Sequence, residues 1–311
     1  MTSKNNPLIS VVIPCYNASV FIRETLDSVR SQTYKPLEVI IVDDGSTDDS
    51  VAIAESYGSF VSVIQQENQG ESVARNRGIE EAKGDWIAFL DADDVWAPKK
   101  LQRQVAEIDS QVVCIHTNYY NFGTRSDVRE PKTECPEIRY RLDRVAANNP
   151  FFISTVMVPR SVVARFPEWT RWGEDTLYYL DLLQEGTVRL VDEPLAGNRR
   201  HPQSQSRDIR TEIFRHEGLV KWLELRSDTL DDAGETRRRI ETSIMRTLAE
   251  HAVGARSRRE WNRYHAIREY LSGFPDSPYA RQIACERIYP QWLYHMKDRF
   301  SSLVGSAGSE K

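Results

Sequence analysis

The first hundred residues repeat one unit: a short apolar run rich in β-branched residues, a polar loop, and a stretch with helical spacing. The apolar runs are LISVVI (8–13), LEVIIV (37–42), FVSVIQQ (60–66) and DWIAFL (85–90), and VVCIHTNYY begins near residue 112. Strands of about six residues that alternate with helices of about twelve predict an α/β fold, with a mostly parallel, Rossmann-like sheet covered by helices on both faces. In such a sheet, ligands bind at the carboxyl ends of the strands.

The rest of the chain contains fewer strand patterns. FFISTVMVP and TVRLVDEPL read as strands, and WGEDTLYYLDLL between them reads as a helix. Farther along, amphipathic helical patterns follow one another and no strand pattern is convincing. We therefore expect an α/β domain over residues 1–205 and a helical region with a frayed tail over residues 206–311.

Composition narrows the class of protein. The 311 residues are 40% hydrophobic and carry a net charge of −5, as in an ordinary soluble globular chain. No run approaches the roughly 18 apolar residues of a membrane span, and MTSKNNPLIS lacks the apolar core of a secretion signal. The four cysteines show neither metal-ligand spacing nor a disulfide pattern. We expect a cytoplasmic protein without nucleic-acid partners, at most peripheral at the inner membrane face.

Three carboxylates follow the fourth apolar run within four residues, in FLDADDVW. Because like charges so close repel and are costly to desolvate, Asp91, Asp93 and Asp94 need either open water or a cation. An Asp-X-Asp pair just past a strand can share Mg²⁺ or Mn²⁺ if a diphosphate completes the shell. Alone, the motif favours a solvated turn before a helix. The aspartate nucleophile of a phosphatase fits less well, because the Asp-X-Asp motif of those enzymes normally ends the first strand of its domain, and here it follows the fourth. A calcium-binding loop does not fit either, because Trp96 stands where such a loop requires glycine.

Four motifs in order resemble family 2 glycosyltransferases of the GT-A fold. They are SVVIPCYNASVFIRETLDSVRSQTY, VIIVDDGSTDDS, NQGESVARNRGIEEAKGDWIAFLDADDVWAP and WGEDTLYYLDLL, all within residues 8–205. The resemblance implies an inverting transfer of a sugar from a nucleotide diphosphate donor to a hydroxyl of a glycan or lipid-linked glycan, with Mg²⁺ or Mn²⁺. We expect a UDP-sugar donor, with dTDP- and GDP-sugars as alternatives.

The resemblance also assigns site residues position by position. The positions expected to contact the nucleotide sugar are Pro14, Tyr16, Asn17, Asp44, Gly70, Arg75, Asn76, Asp91, Ala92 and Asp93. Among them, Asp44 is expected to accept from the base, Asp93 to ligate the metal, and Asp91 to contact ribose or metal-bound water. His201 is a further candidate metal ligand, and Arg199 is a candidate phosphate contact.

Inverting transfer needs a base on the face opposite the leaving group, because the acceptor hydroxyl loses a proton as it attacks. Asp175 in GEDT matches the base of the family, with Glu174 beside it as the alternative. Trp172 is a candidate for stacking on an acceptor sugar, and a buried packing role competes with that interpretation. Asp94 is expected to support the helix after the acidic loop.

Two other functions are compatible with these residues. One is a non-catalytic protein that binds sugar nucleotides or glycans on the same fold, although the presence of Asp44, Asp91, Asp93 and Asp175 favours catalysis. In the other, the helical region docks the protein to a polysaccharide-assembly complex or a membrane surface. No oligomeric state follows from the sequence.

Overall fold

The computed structural model describes residues 6–124, 126–129, 140–162, 164–170, 172–201, 211–226, 230 and 233–284. The strands of this part of the chain are β1 (Ile9–Cys15), β2 (Leu37–Asp43), β3 (Val61–Gln65), β4 (Trp86–Phe89), β5 (Val95–Trp96), β6 (Val112–Gly123), β7 (Asp127–Arg129), β8 (Met157–Pro159) and β9 (Thr187–Arg200). Its α-helices are α1 (Ile22–Arg30), α2 (Ser50–Glu55), α3 (Glu71–Glu81), α4 (Lys100–Val105), α5 (Leu142–Ala147), α6 (Glu174–Leu182), α7 (Thr211–Leu225), α8 (Ala233–Ser257), α9 (Trp261–Ser272) and α10 (Pro278–Ala284). Short 3₁₀ turns lie at Gly58–Phe60 and Ile153–Thr155.

All of these strands belong to one sheet, in the order β3-β2-β1-β4-β8-β6-β9-β5, with β7 paired to β6. The half formed by β3, β2, β1 and β4 is parallel, as the repeated strand–helix units predict. Beyond β4 the sheet is mixed, because β8 runs antiparallel to both β4 and β6. The sequence pattern did not indicate this change of direction, since β8 has three residues and β5 has two, too few to show a period.

Helices cover the parallel half on both faces. All seven residues of β1 are buried, as expected for a central parallel strand. On one face, α1 buries Ile22, Leu26 and Val29. On the other face, α3 packs directly on β1 at Gly78, where an added Cβ would lie only 2.3 Å from Cγ1 of Val12. Glycine at this position therefore lets the helix approach the strand.

The helices after residue 211 share a core with the sheet. One cluster of buried side chains runs from Phe89 of β4 through Tyr178 of α6 to Trp222 of α7 and Ile240 of α8. The Asp181 side chain of α6 also accepts a hydrogen bond from Nε1 of Trp222 at 2.9 Å. The expected domain boundary at residue 205 lies outside the described residues and stays a prediction. Among the described helices, none has the length and apolar character needed to span a bilayer.

Candidate active site

A cleft of about 620 Å³ opens at the carboxyl ends of β1, β2 and β4, beside the end of β9. Its volume lies within the roughly 300 to 1,000 Å³ typical of small-ligand sites. The expected site residues that line it are Pro14, Tyr16, Asn17, Asp44, Asp91, Ala92, Asp93, Arg199 and His201. We call Tyr16, Asn17 and Asp44 the first wall of the cleft, and Asp93, Arg199 and His201 the second wall.

In the first wall, the loop after β1 is tied to the loop after β2. Asn17 adopts a left-handed backbone conformation with φ of 49°, which asparagine tolerates better than most residues. Its Oδ1 accepts from the backbone N–H of Thr47 at 2.8 Å, and its own N–H donates to Oγ of Ser46 at 2.9 Å. Tyr16 is 53% exposed and lines the cleft on this wall.

Asp44 holds the next loop of the first wall. Its Oδ1 accepts from Nε2 of Gln66 and from the backbone N–H of Gln69, both at 2.8 Å. Its Oδ2 accepts from the backbone N–H of Gly70, also at 2.8 Å. Gly70 has a φ of 97°, a conformation that favours glycine. The backbone N–H of Gly70 therefore binds Asp44. We expected Gly70 to contact the nucleotide sugar, but it is not among the residues that line the cleft.

In the second wall, Asp93 lies next to two basic residues from the end of β9. His201 Nε2 is 3.0 Å from Oδ2 of Asp93, and Arg199 Nε donates to the backbone carbonyl of Asp93 at 2.7 Å. Phe21 packs against both basic side chains: its ring centroid is 4.8 Å from that of His201 and 5.1 Å from Cζ of Arg199. An aromatic side chain that the motifs did not single out therefore helps to place the second wall.

Asp94 does not support the following helix, so that expectation is wrong. Helix α4 begins only at Lys100, and no side chain caps it. Both carboxylate oxygens of Asp94 are engaged elsewhere: Oδ2 accepts from Oγ of Ser154 at 2.6 Å, and Oδ1 accepts from the backbone N–H of Arg199 at 2.9 Å. Burial, together with the charges of Asp93 and Asp91, raises the pKa of Asp94 well above its usual value.

Arg75 is the centre of an ion-pair cluster behind the cleft. Its guanidinium lies 2.9 Å from Asp91, 3.0 Å from Glu71 and 3.4 Å from Glu174, and its side chain is only 3% exposed. Burial raises the pKa of Asp91 to about 7, although Arg75 opposes the shift. Arg75 therefore joins the acidic loop to the first turn of α6, and it does not line the cleft.

Asn76 lies away from the cleft, in contrast to the expectation. Its Nδ2 donates to the backbone carbonyl of Phe166 at 2.8 Å and to Oε1 of Glu168 at 2.9 Å, and its Oδ1 accepts from the N–H of Phe166 at 2.9 Å. Neighbouring positions on a helix point about 100° apart, so Arg75 and Asn76 of α3 face different surroundings. Asn76 fastens the segment before α6 to α3.

The expected base lies at the start of α6. Asp175 is partly buried, and its Oδ2 accepts from Nδ2 of Asn149 at 3.1 Å. Its Oδ1 accepts from the backbone N–H of Thr176 at 2.6 Å.

Trp172 stacks on Phe214 of α7, with ring centroids 6.1 Å apart, which is the packing role that the sequence left open. Glu174, Asp175 and Trp172 are not among the residues that line the cleft.

The second wall fits a divalent cation that binds together with a diphosphate. Among the described residues, no three His, Cys, Asp or Glu side chains are close enough to bind a metal by themselves. Asp93 and His201 are adjacent, whereas the carboxylate of Asp91 is engaged by Arg75. Mg²⁺ and Mn²⁺ usually take one or two protein carboxylates and complete their shell with water and substrate phosphates. The residues present are compatible with that mode of binding.

Comparison with known proteins identifies the family. Residues 10–165 match the family model described as Glycosyl transferase family 2. The chain belongs to glycosyltransferase family 2. An uncharacterized glycosyltransferase of Haemophilus influenzae is 35% identical over 188 residues, which are 58% of this chain and 74% of that protein.

Solved structures confirm the GT-A fold of this glycosyltransferase. S. aureus TarS 1-349, in complex with UDP-GlcNAc, superposes with a TM-score of 0.67 at 19% identity, covering 86% of this chain and 81% of TarS 1-349. The mannosyltransferase PcManGT from Pyrobaculum calidifontis, in complex with GDP-Man and Mn²⁺, gives a TM-score of 0.57 at 17% identity, covering 93% of this chain and 89% of PcManGT. At these identities the likeness concerns the fold.

Four residues that hold the candidate site together are not indicated by the sequence motifs. They are Phe21, Gln66, Asn149 and Ser154. Each acts by holding a motif residue, and each comes from a different segment of the chain. Phe21 directly precedes α1, and an aromatic residue next to a strand-end loop is the one signal among them that a sequence could provide.

Proposed function

We propose that this family 2 glycosyltransferase moves a sugar from a nucleoside diphosphate donor, with UDP-sugars as the preferred class, to a hydroxyl of a glycan or lipid-linked glycan, with inversion. The observation that carries the proposal is a single cleft with two chemically different walls. Tyr16 and Asp44 offer an aromatic face and a carboxylate, which suit a nucleobase. Arg199 and His201 beside Asp93 suit a diphosphate with its cation.

The hydrogen bonds of Asp44 support a pyrimidine donor. A carboxylate has about four lone-pair positions, and Asp44 uses three of them on Gln66, Gln69 and Gly70. One position on Oδ2 is left for a ligand. Uracil and thymine present a single imide N–H, whereas guanine presents an N–H and an NH₂ group side by side. We therefore expect UDP and dTDP to bind more tightly than GDP.

The second wall is proposed to stabilise the leaving group. Asp93 and His201 would hold Mg²⁺ or Mn²⁺, whose charge stabilises the departing diphosphate when the ion is bound. PcManGT, which has the same fold, is in complex with GDP-Man and Mn²⁺, and this supports a donor that binds together with a divalent cation. Arg199 adds a guanidinium to the same wall, and Glu24 holds that guanidinium at 2.6 Å. Phe21 keeps the two basic side chains on one side of the cleft.

Asp175 is proposed as the base. Its carboxylate takes the proton of the acceptor hydroxyl while that oxygen bonds to the anomeric carbon and the bond from this carbon to the diphosphate oxygen breaks. The configuration therefore inverts without a covalent intermediate. Glu174 is the alternative base, because burial and the neighbouring charge of Asp175 raise its pKa to about 7, which suits proton transfer near neutral pH.

The helical region is proposed to support α6, which carries both candidate bases. Phe214 of α7 stacks on Trp172, just before α6 begins. Arg226 donates to Oδ2 of Asp181 of α6 at 2.8 Å. These contacts favour a catalytic unit that includes α7, in which the helical region extends the α/β domain.

A panel of nucleotide sugars tests the proposed function. UDP-, dTDP- and GDP-sugars are incubated with the full chain in Mn²⁺ or in EDTA, and release of the nucleotide is measured with and without glycan acceptors. We expect Mn²⁺-dependent release from a UDP- or dTDP-sugar. Tight binding without release on any acceptor would instead favour a non-catalytic binding protein. Absence of binding by every donor in Mn²⁺ would reject the proposal.

A further inference from the structure

Three segments that are far apart in sequence meet at the floor of the cleft: the acidic loop after β4, the turn Ile153–Thr155 and the end of β9. The Ser154 hydroxyl donates to Oδ2 of Asp94 at 2.6 Å and accepts from the backbone N–H of Asp91 at 3.1 Å. The other oxygen of Asp94 accepts from the backbone N–H of Arg199 at 2.9 Å. Ser154 is fully buried and Asp94 is 2% exposed, so water does not compete for these bonds.

The turn that carries Ser154 is itself fixed from behind. Nε1 of Trp96 donates to the backbone carbonyl of Ser154 at 2.6 Å, and Nε2 of Gln104 donates to that of Thr155 at 2.9 Å. Trp96, Gln104 and Thr155 are all buried. The Ser154 hydroxyl is therefore a fixed point against which the acidic loop and the end of β9 are placed.

We propose that Asp94 and Ser154 are positioning residues that set the acidic loop against the end of β9, so that Asp93 and His201 face the same ligand. Ser154 fixes the backbone two residues before Asp93, and Asp94 fixes the backbone two residues before His201. Both oxygens of Asp94 are used by the protein, so it acts through these neighbours. This role rests on the proposed function, because it concerns how the second wall meets a metal-bound diphosphate.

The chain contains a matched control for the same chemistry. At the opposite end of the parallel strands, the hydroxyl of Ser10 accepts from the backbone N–H of Gly84 at 2.9 Å and donates to Oε1 of Glu38 at 2.5 Å. Ser10 is as fully buried as Ser154, and it does not line the cleft. Ser10→Ala and Ser154→Ala therefore remove the same kind of hydroxyl bridge, and only Ser154→Ala removes it beside the second wall.

The test measures binding of UDP, dTDP and GDP to the full chain by calorimetry, in Mn²⁺ and in EDTA, together with the melting temperature. We expect both serine variants to melt at lower temperature. Ser154→Ala should weaken Mn²⁺-dependent nucleotide binding by about 10- to 100-fold, as loss of groups that orient metal ligands usually does, with little change in EDTA. Ser10→Ala should leave binding unchanged.

Asp94→Ala provides a second variant should Ser154→Ala fail to fold. The methyl group accepts neither from the Ser154 hydroxyl nor from the backbone N–H of Arg199, so both bonds are lost and the same Mn²⁺-dependent weakening is expected. Wild-type affinity in both variants, or equal weakening in Mn²⁺ and EDTA, would overturn the positioning role and leave the proposed function standing. Equal nucleotide binding by the wild type in Mn²⁺ and in EDTA would also overturn the positioning role, whereas absence of any nucleotide binding in Mn²⁺ would overturn both.

Discussion

The two walls of the cleft are built in different ways. The first wall is held by hydrogen bonds between consecutive strand–helix units, such as that between Asn17 and Thr47, which are 30 residues apart. The second wall depends on contacts such as that between Asp93 and His201, which are 108 residues apart. The regular parallel half of the sheet suffices to form the first wall, whereas the second wall requires the whole mixed sheet and α6 behind it. Substitutions on the side of the second wall should therefore have the larger effects.

The largest effect is expected at the base. Asp175→Asn keeps the shape of the side chain and removes its ability to take a proton, so kcat should fall by about 10²- to 10⁴-fold. Nucleotide affinity should stay near that of the wild type, because the proposed base meets the acceptor hydroxyl and belongs to neither the first nor the second wall. Steady-state kinetics with calorimetry separate the two quantities. Normal turnover in Asp175→Asn together with loss in Glu174→Gln would transfer the role to Glu174.

The next effect is expected at Arg75, which connects the acidic loop to α6. Arg75→Met leaves Asp91 and Glu174 without their buried counter-charge, so the free energy of unfolding should fall by about 3 to 5 kcal/mol. Arg77→Met is the matched control on the same helix, since Arg77 forms an exposed pair with Glu81, and its effect should stay within about 0.5 kcal/mol. Urea unfolding measures the free energy of unfolding of both variants. Equal losses in Arg75→Met and Arg77→Met would show that the ion-pair cluster around Arg75 does not stabilise the fold.

A pH effect is expected in the helices that support α6. Burial lowers the pKa of His216 to about 4, and its Nδ1 lies 2.5 Å from the hydroxyl of Tyr270. The unfolded chain binds a proton at this residue near the usual pKa of about 6.5, so the stability contributed by neutral His216 is present above that pH and is lost as the pH falls toward 4.

This loss should amount to about 2 kcal/mol between pH 7 and pH 5. Glu241 opposes the shift, and its charge enters the same measurement. Unfolding curves of the wild type and of His216→Gln should converge toward pH 5, with His265→Gln, at a partly exposed position of α9, as the control. A constant difference between wild type and His216→Gln across this range would contradict the assignment.

The smallest effect is expected in the first wall. Gln66→Leu removes one hydrogen bond to Asp44 and opens a second acceptor position, so the preference for UDP over GDP should narrow by about tenfold. Gln69→Leu is the control, because Gln69 binds Asp44 through its backbone N–H. Competition binding with the two nucleotides gives the ratio. An unchanged ratio in Gln66→Leu would mean that Asp44 does not select the base.

The difference in construction between the first and the second wall also explains which parts of the fold and the site could be predicted from the sequence. The parallel half of the sheet and the first wall follow from local patterns, because a strand end and the loop after it are adjacent in the chain. The positions of Asp94 and Phe21 do not, since their partners come from β9 and from the turn at Ser154, more than fifty residues away. A sequence motif predicts that Asn76 lies on a helix, but it does not predict the rotation of that helix about its axis. The motif therefore could not show that the Asn76 side chain points away from the cleft.

Binding of UDP to the wild type, Asp93→Asn and Asp109→Asn, each in Mn²⁺ and in EDTA, tests the account of the second wall most directly. Asp109 is an exposed aspartate that pairs with Arg189, so it controls for the change of charge. We predict that Mn²⁺ strengthens UDP binding to the wild type and to Asp109→Asn, and that this gain disappears in Asp93→Asn. An Asp93→Asn variant that keeps the full Mn²⁺-dependent gain would contradict the account.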